Sequence, residues 1–377
     1  MQYREYGKLG FKVSTFGMGC MRLPSSVDDK GNKTIHREEA IKMIRYAADH
    51  GVNYFDSAHV YFDGDCDRLL GEALSGGYRE RVKVVSKIPP GHVNSEEDFF
   101  RILDEQLEKL QTDHLDVLLA HNLGKESFAH LKKINMVSMM EKAKAQGKIK
   151  AIACSFHDDF DTYKEVIDYY PWDMSQIQMN ILDVNNQATV EGMKYAAGKG
   201  IAIVIMEPLR GGSLCKLSPE YEEKLHSLRP GVSMTEWAFR FLQSVPGVTV
   251  TLSGMSDFRQ MQENIAMFEK QAPLNEAEMK ALMEIAGKMT AGNTLPCTSC
   301  RYCTSHCPKE LDIPWLISLY NEHTYSGGGF IAPMALGALE DDKKPSACIG
   351  CRACEAVCPQ QIKISEMMKD FAEKTSL

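Results

Sequence analysis

The sequence lacks the features that place a protein in a membrane or on nucleic acid. No apolar run is long enough to span a bilayer, and residues 1–5 do not resemble a signal peptide. No long run of lysine or arginine is present, and the net charge of the 377-residue chain is −8. Because nucleic acids and anionic membranes bind basic surfaces, neither partner is expected. We therefore expect a cytoplasmic protein.

The composition is that of a soluble globular protein. Hydrophobic residues make up 44% of the chain and charged residues 25%. The length leaves room for two or more domains at about 150 residues each, although an α/β barrel alone uses about 250.

The twelve cysteines are unevenly distributed. Four of them are scattered and are interpreted as small hydrophobic residues: Cys20, Cys66, Cys154 and Cys215. The other eight lie in two groups between residues 297 and 358. Because thiols in a reducing compartment are not expected to form disulfides, these eight are predicted to bind metal.

A strand-then-helix pattern repeats eight times along the first part of the chain, after a short hairpin that ends near residue 9. The predicted strands are residues 13–19, 52–56, 82–87, 115–121, 149–154, 174–179, 201–206 and 248–252. They are apolar enough to be buried on both faces, which predicts a closed parallel TIM (β/α)8 barrel rather than an open sheet. Glycine-containing loops follow strands seven and eight, where such barrels bind phosphate.

Polar residues close three of these strands. Asp56, Lys87 and His121 end the second, third and fourth strands, and Tyr61 follows Asp56 by five positions. A tyrosine that a neighbouring ammonium makes more acidic, with a histidine to orient a carbonyl and an aspartate to hold the lysine, can protonate a carbonyl oxygen as hydride arrives. Taken singly, each residue also has a structural interpretation, as a helix cap or a hydrogen-bonded residue at the rim.

Over residues 1–270 the chain resembles the aldo-keto reductase family. The resemblance rests on Asp56 and Tyr61 in DSAHVY, Lys87 in SKIPP, His121 in LLAHNL, Ser155 in ACSFH, Gln176 in QIQMN, and the loop Pro208-Leu209-Arg210-Gly211-Gly212. It implies a TIM barrel, a nicotinamide cofactor and a small-molecule carbonyl substrate. It also implies that Tyr61 is the general acid, supported by Asp56, Lys87 and His121.

The resemblance further implies a set of cofactor-binding residues. Ser155 and Gln176 match residues that hold the nicotinamide carboxamide, and Glu263 and Asn264 match positions near the adenine. The full set is Gly19, Met21, Arg22, Ser155, Gln176, Met206, Pro208, Leu209, Arg210, Gly211, Ser253, Gly254, Met255, Gln260, Glu263 and Asn264.

Three departures from the family pattern concern the cofactor. Met206 stands where an aromatic ring usually stacks on the nicotinamide, and Phe156 replaces a common asparagine. Gly254, Ser256 and Gln260 take the place of basic residues that usually clamp the 2′-phosphate of NADP. A phosphate is best bound by a guanidinium or an ammonium, so the choice between NADP and NAD stays open.

The cysteine groups each spell C-x2-C-x2-C-x3-C-P. In two-cluster ferredoxins the fourth cysteine of each run binds the other cluster. This rule assigns one [4Fe-4S] cluster to Cys297, Cys300, Cys303 and Cys358, and a second to Cys348, Cys351, Cys354 and Cys307. Zinc is the alternative, since paired C-x2-C motifs also bind it.

The predicted domains are a barrel at 1–272, a helical linker at 273–292 and a two-cluster ferredoxin-like domain at 293–377. The gap between Cys307 and Cys348 contains a helical stretch near 313–320 and a triple-glycine turn. It is longer than a compact β-containing ferredoxin needs, so a mainly α-helical arrangement is predicted.

The combination joins two kinds of electron chemistry. A nicotinamide moves two electrons as hydride, whereas each cluster moves one. No flavin domain is recognisable, so a bound flavin that would split the pair is allowed but not indicated by the sequence. One hypothesis is a carbonyl reductase whose clusters exchange electrons with a redox partner. The alternative is an electron-transfer or redox-sensing protein of low turnover, whose clusters serve partner docking or structure.

Overall fold

The chain folds into two compact units. The computed structural model describes residues 1–27, 33–291, 294–295, 297, 303–325, 327–329, 331–358 and 362–375. The first unit comprises Met1–Leu209 and Thr235–Asn275, and the second comprises Arg210–Met234 and Glu276–Leu377. The segment 210–234 therefore groups with the second unit. The predicted boundaries at residues 272 and 292 stay predictions.

Short strands alternate with amphipathic helices over the first two thirds of the chain. In order, they are β1 (Tyr3–Glu5), β2 (Lys12–Ser14), β3 (Phe16–Gly19), β4 (Ser25–Val27), β5 (Lys33–Ile35), α1 (Arg37–Asp49), β6 (Tyr54–Asp56), α2 (Asp65–Ala73), β7 (Lys83–Ile88), α3 (Glu96–Leu110), β8 (Val117–Leu123), α4 (Lys125–Lys133), α5 (Met136–Ala145), β9 (Ile152–Phe156), α6 (Phe160–Tyr169), β10 (Met174–Gln178), α7 (Thr189–Gly198), β11 (Ala202–Met206), α8 (Pro219–Leu228), α9 (Met234–Ser244), β12 (Val248–Gly254) and α10 (Phe258–Glu269). Beyond α10 the described part of the chain contains the helices α11 (Glu276–Ala291), α12 (Ile313–Tyr325), α13 (Ile331–Gly337), α14 (Ala353–Ala356) and α15 (Ile364–Thr375).

Eight strands close into a parallel barrel in the order β10-β11-β12-β3-β6-β7-β8-β9. The predicted TIM barrel is confirmed. One detail of the prediction was wrong, because residues 13–19 do not form one strand. Residues 13 and 14 pair with β1 in an antiparallel hairpin, and only β3 joins the barrel.

Aliphatic side chains fill the barrel interior. Val85, Leu119 and Val204 belong to one buried cluster that also contains Tyr54 and, from the hairpin, Tyr6. The two phenols share a hydrogen bond of 3.0 Å between their oxygens, which satisfies both in an apolar setting. The hairpin therefore adds its own core residues to the barrel's amino end.

Helix α3 illustrates how the local sequence sets these elements. The Ser95 hydroxyl accepts the Asp98 N–H at 3.2 Å and caps the helix. Phe99, Leu103 and Leu110 recur at helical spacing and are buried, as their pattern predicts.

The second unit is helical in the part that the structure describes, which confirms the predicted α-helical arrangement. Its core includes Leu316, Ile317, Met368 and Phe371, and two of the predicted cluster cysteines are also buried there. The α8 segment packs on α11 through a two-bonded ion pair from Arg229 to Glu278, with both N···O distances at 2.7 Å. No helix among the described residues combines the length and apolar character needed to cross a bilayer.

Candidate active site

Lys87 lies at the centre of the proposed acid–base group in the barrel. Its side chain is fully buried, and its ammonium donates to Asp56 Oδ1 at 2.5 Å and to the Ser57 carbonyl at 2.6 Å. A longer hydrogen bond of 3.4 Å reaches the Tyr61 phenol oxygen, and the ammonium lies 4.8 Å from the centre of the Tyr61 ring. Asp56, Lys87 and Tyr61 therefore meet as the sequence predicts.

The parallel register explains why these residues meet. β6 and β7 are neighbours, and Asp56 pairs with Val85 two positions before Lys87. β7 and β8 are neighbours as well, so His121 lies on the next strand end. The His121 ring stacks edge-on to the Tyr61 ring, with 5.9 Å between centroids.

Burial sets the protonation states of this group. Burial lowers the pKa of His121 to about 3, and the neighbouring Lys87 charge adds to the effect, so the imidazole is neutral at pH 7. Burial would also lower the pKa of Lys87, but Asp56 and Tyr61 outweigh it and the net pKa is raised. Lys87 therefore stays an ammonium.

Tyr61 differs from the expectation that an ammonium makes it more acidic. Lys87 does lower the pKa of Tyr61, but burial is the larger effect and the net pKa is raised. Burial likewise raises the pKa of Asp56 against the opposing influence of Lys87. A raised pKa keeps the phenol protonated at neutral pH, which is the form that a general acid requires.

The loop after Tyr61 has a backbone that the sequence does not reveal. Phe62 and Asp63 have φ values of 48° and 54°, and Gly64 follows at 84°. Asn122, directly after His121, is also left-handed at 56°. Non-glycine residues seldom adopt this region, and where they do they cluster at functional sites.

The predicted carboxamide-binding residues lie on neighbouring strands. Ser155 on β9 and Gln176 on β10 are paired in register, and both are almost fully buried. The Ser155 hydroxyl oxygen accepts the Asn122 N–H at 2.7 Å, which ties it to the residue after His121. The Gln176 amide nitrogen lies 3.7 Å from the sulfur of Met206, at the end of β11. Pro208 and Leu209 follow that strand.

The remaining barrel candidates surround the ends of β3 and β12. Gly19 and Gly254 pair in register, with Met255 buried beyond them. A Cβ at Gly254 would lie 3.0 Å from the Cβ of Arg22, so a larger residue would crowd the turn formed by Cys20–Arg22. Met21, in the same turn, is 58% exposed.

Helix α10 carries the predicted adenine-side residues. Asn264 donates to the Ser253 hydroxyl at 3.4 Å, and Glu263 pairs with Arg259 at 3.4 Å. The Asp257 side chain caps the helix by accepting the Gln260 N–H at 2.9 Å. Arg210 and Gly211 belong to the second unit, where their backbone has positive φ.

Four of the eight predicted metal ligands line one cavity in the second unit. Cys307, Cys348, Cys351 and Cys354 are among the residues that line it. Among the residues that the structure describes, no three His, Cys, Asp or Glu side chains are placed to hold a single metal ion. A [4Fe-4S] cluster takes one thiolate at each of four irons, and the number of cysteines that line this cavity matches that requirement.

The other predicted ligand set is partly described. Cys303 is buried in the core of the unit, and Cys297 and Cys358 pack against that core. Cys300 lies outside the described residues. The structure therefore locates three of these four predicted ligands.

The fold and site together define an oxidoreductase built on a (β/α)8 barrel. The aldo/keto reductase family model matches residues 15–286, and a 4Fe-4S dicluster domain model matches residues 296–363. The chain belongs to the aldo/keto reductase family and carries a 4Fe-4S domain after the barrel.

Individual relatives agree with this assignment. The L-galactose dehydrogenase of Arabidopsis thaliana is 24% identical over 317 residues, which cover 77% of this chain and 97% of the relative. The 6-dehydroglucose reductase of Novosphingobium aromaticivorans is 26% identical over 67% of this chain and 85% of its own length. The solved structure of a thermostable aldo-keto reductase bound to the inhibitor epalrestat has a TM-score of 0.63 at 26% identity, covering 75% of this chain and 99% of that one.

Proposed function

We propose that the barrel is an NAD(P)H-dependent carbonyl reductase in which Tyr61 donates a proton to the carbonyl oxygen. The observation that carries this proposal is the hydrogen-bonded group of Asp56, Lys87 and Tyr61, with neutral His121 beside it. Lys87 stabilises the phenolate that Tyr61 becomes, and Asp56 holds Lys87 in place. The His121 imidazole orients the carbonyl by hydrogen bonding.

A bound nicotinamide supplies the hydride for this reaction. The residues proposed to hold it are the cofactor-binding set named above, with Ser155 and Gln176 at the carboxamide and α10 near the adenine. Gly19, Met206 and Gly254 lie at the carboxyl ends of barrel strands, which supports this placement because parallel barrels bind phosphate-containing ligands at that face.

We further propose that the nucleotide is NADH rather than NADPH. The carboxylate of Asp257 caps α10 and repels a phosphate at that helix end. The Gln260 side chain accepts the Ser256 N–H at 3.0 Å, and Arg259 is paired with Glu263. Comparing the dissociation constants of NADH and NADPH tests this preference.

The 4Fe-4S domain is proposed to hold two clusters that transfer single electrons, one on each cysteine set, in a cytoplasmic protein. The cavity formed by Cys307 with Cys348, Cys351 and Cys354 supports the crossed assignment. When bound, each cluster supplies one-electron transfer, with a redox protein as the external partner.

Carbonyl reduction and cluster coupling need separate tests. The barrel chemistry is tested by the anaerobic oxidation of NADH by methylglyoxal, compared between wild type and Tyr61→Phe. Equal rates would remove Tyr61 from the mechanism.

Coupling to the clusters is tested by anaerobic addition of NADH without a carbonyl, followed by electron paramagnetic resonance. A reduced-cluster signal supports coupling and requires a converter such as a bound flavin. Tight NADH binding without that signal favours the alternative, in which the clusters serve docking or structure.

A further inference from the structure

A second carboxylate interacts electrostatically with Lys87 and has no part in the mechanism given above. Asp67, in the first turn of α2, is completely buried. A buried aspartate is costly unless hydrogen bonds and a cation compensate for it. This one is located next to the acid–base group, because α2 begins directly after the Tyr61 loop.

Asp67 belongs to a small buried network with Ser86 and Gln106. The Ser86 hydroxyl donates to the two carboxylate oxygens at 3.4 and 3.5 Å, and the Gln106 amide donates to Oδ2 at 3.3 Å. Gln106 also donates to the Ser86 hydroxyl at 2.5 Å and to the Lys87 carbonyl at 3.4 Å. The network therefore holds the backbone that carries Lys87.

A second connection runs through Ser57. Its carbonyl accepts a hydrogen bond from the Lys87 ammonium. Burial raises the pKa of Asp67, and Ser57, Gln106 and Lys87 oppose part of that rise. The Ser57 hydroxyl oxygen has no partner within hydrogen-bond geometry among the described residues, so its influence on Asp67 is electrostatic. Asp67 and Lys87 therefore also interact electrostatically.

We propose that Asp67 is a positioning residue that holds Lys87 in its catalytic place and adds a second negative charge to its surroundings. This inference rests on the proposed function. Asp56 holds the ammonium directly, whereas Asp67 acts through Ser86, Gln106 and the local electric field. Removing the Asp67 charge lowers the pKa of Tyr61, which then loses its phenol proton at a lower pH.

Other charged and titratable groups surround this pair. Asp67 is faced by Lys87 and by Lys109 from α3. Lys87 interacts with Asp56 and Tyr61. Besides burial, charges of this centre affect the pKa values of Cys20, Cys66 and His121, and Asp65 also affects that of Cys66. With Lys109, Asp56 and the cysteines unchanged, replacing Asp67 alone isolates its charge.

The test is the pH profile of kcat/KM for NADH-dependent methylglyoxal reduction by the iron-loaded protein. In Asp67→Asn the alkaline limb is expected to move to lower pH by roughly one unit, because an anion near an acid raises its pKa. Asp67→Glu keeps the negative charge, so its alkaline limb lies closer to the wild-type pH. KM for the carbonyl stays unchanged. The matched control is Asp65→Asn, two residues earlier, whose partner is the half-exposed Arg37; its limb stays at the wild-type pH.

A readout without turnover separates this inference from the proposed function. Tyrosinate absorbance, taken as the difference between each protein and its Tyr61→Phe form, follows the Tyr61 proton directly, and Asp67→Asn lowers its midpoint. A wild-type midpoint and limb in Asp67→Asn overturn the inference even if Tyr61→Phe is inactive. An active Tyr61→Phe overturns the proposed function instead.

A second variant keeps the proposal testable if Asp67→Asn does not fold. Gln106→Leu loosens the network but keeps the Asp67 charge, so kcat falls severalfold while the alkaline limb stays in place. Unchanged kcat in a folded Gln106→Leu overturns the positioning role.

Discussion

The barrel and the 4Fe-4S domain build their sites in different ways. In the barrel, side chains at the ends of parallel strands satisfy one another: Lys87 is fully buried and bonds to Asp56, Ser57 and Tyr61. In the domain, thiols line a cavity in a small helical core, and the group that would join them comes from outside the chain. The barrel site is therefore formed by the fold, whereas the thiol site is completed by metal.

The largest effect is expected from removing the barrel's acid. Tyr61→Phe should lower kcat for carbonyl reduction by about 10³-fold, in the range of general acid catalysis, without lowering the melting temperature. Steady-state rates with NADH and methylglyoxal measure the loss. Tyr78→Phe, at an exposed surface hydrogen bond to Asp49, is the control. Comparable rates in both variants would contradict the assignment.

Replacing a cysteine of the thiol site should lower the iron content of the protein and leave the barrel unchanged. Cys307→Ser is expected to lose one cluster, leaving about half of the iron, and its spectrum should match that of Cys351→Ser. Iron analysis and electron paramagnetic resonance measure this. The exposed Cys215 provides the control variant, Cys215→Ser, which keeps full iron. A Cys307→Ser spectrum that matches Cys303→Ser instead would overturn the crossed assignment.

Because His121 is buried, the free energy of unfolding of the barrel should fall as the pH is lowered. The folded pKa of His121, about 3, lies below the ordinary value of 6.5, so the unfolded chain binds the extra proton between these pH values. Stability is then full above pH 6.5 and falls by about 1.4 kcal/mol per pH unit as pH drops toward 3. Urea unfolding from pH 7 to 4 measures the slope. His121→Gln should flatten it, and an unchanged slope would assign the acid sensitivity to other groups.

The smallest expected effect is a change in the affinity for the nucleotide. Asp257→Ser keeps a helix cap but removes its charge, so affinity for NADPH should rise about fivefold while affinity for NADH changes little. Fluorescence titration with each nucleotide measures both constants. Asp159→Ser, an equivalent cap on α6, is the control. Tighter NADPH than NADH binding in the wild type would contradict the proposed preference.

The sequence predicted the barrel and the residues that lie close together at its strand ends, because both follow from the spacing of the strands and the positions where they end. Apolar strands of regular spacing fix the order of neighbours, which brings Asp56 and Lys87 together in register. The cysteine spacing predicted the ligand sets in the same way, and the cavity gathers Cys307 with the three cysteines of the second run.

What the sequence did not reveal depends on tertiary packing. Phe62 and Asp63 have a left-handed backbone, but neither is a glycine, so the sequence does not indicate this conformation. Asp67 looks like an acidic residue in a helix's first turn, and only the fold shows that it is buried beside Ser86. The net rise in the pKa of Tyr61 likewise required its burial, because the sequence showed only the neighbouring lysine.

The most direct test of the central claim is a single turnover of iron-loaded protein with methylglyoxal and NADH carrying deuterium at the transferred position. The account predicts one deuterium in the alcohol product for each nucleotide oxidised, and loss of this reaction in Tyr61→Phe. Oxidation of the nucleotide with no deuterium in the product, accompanied by reduction of the clusters, would show that the barrel does not reduce the carbonyl by hydride transfer.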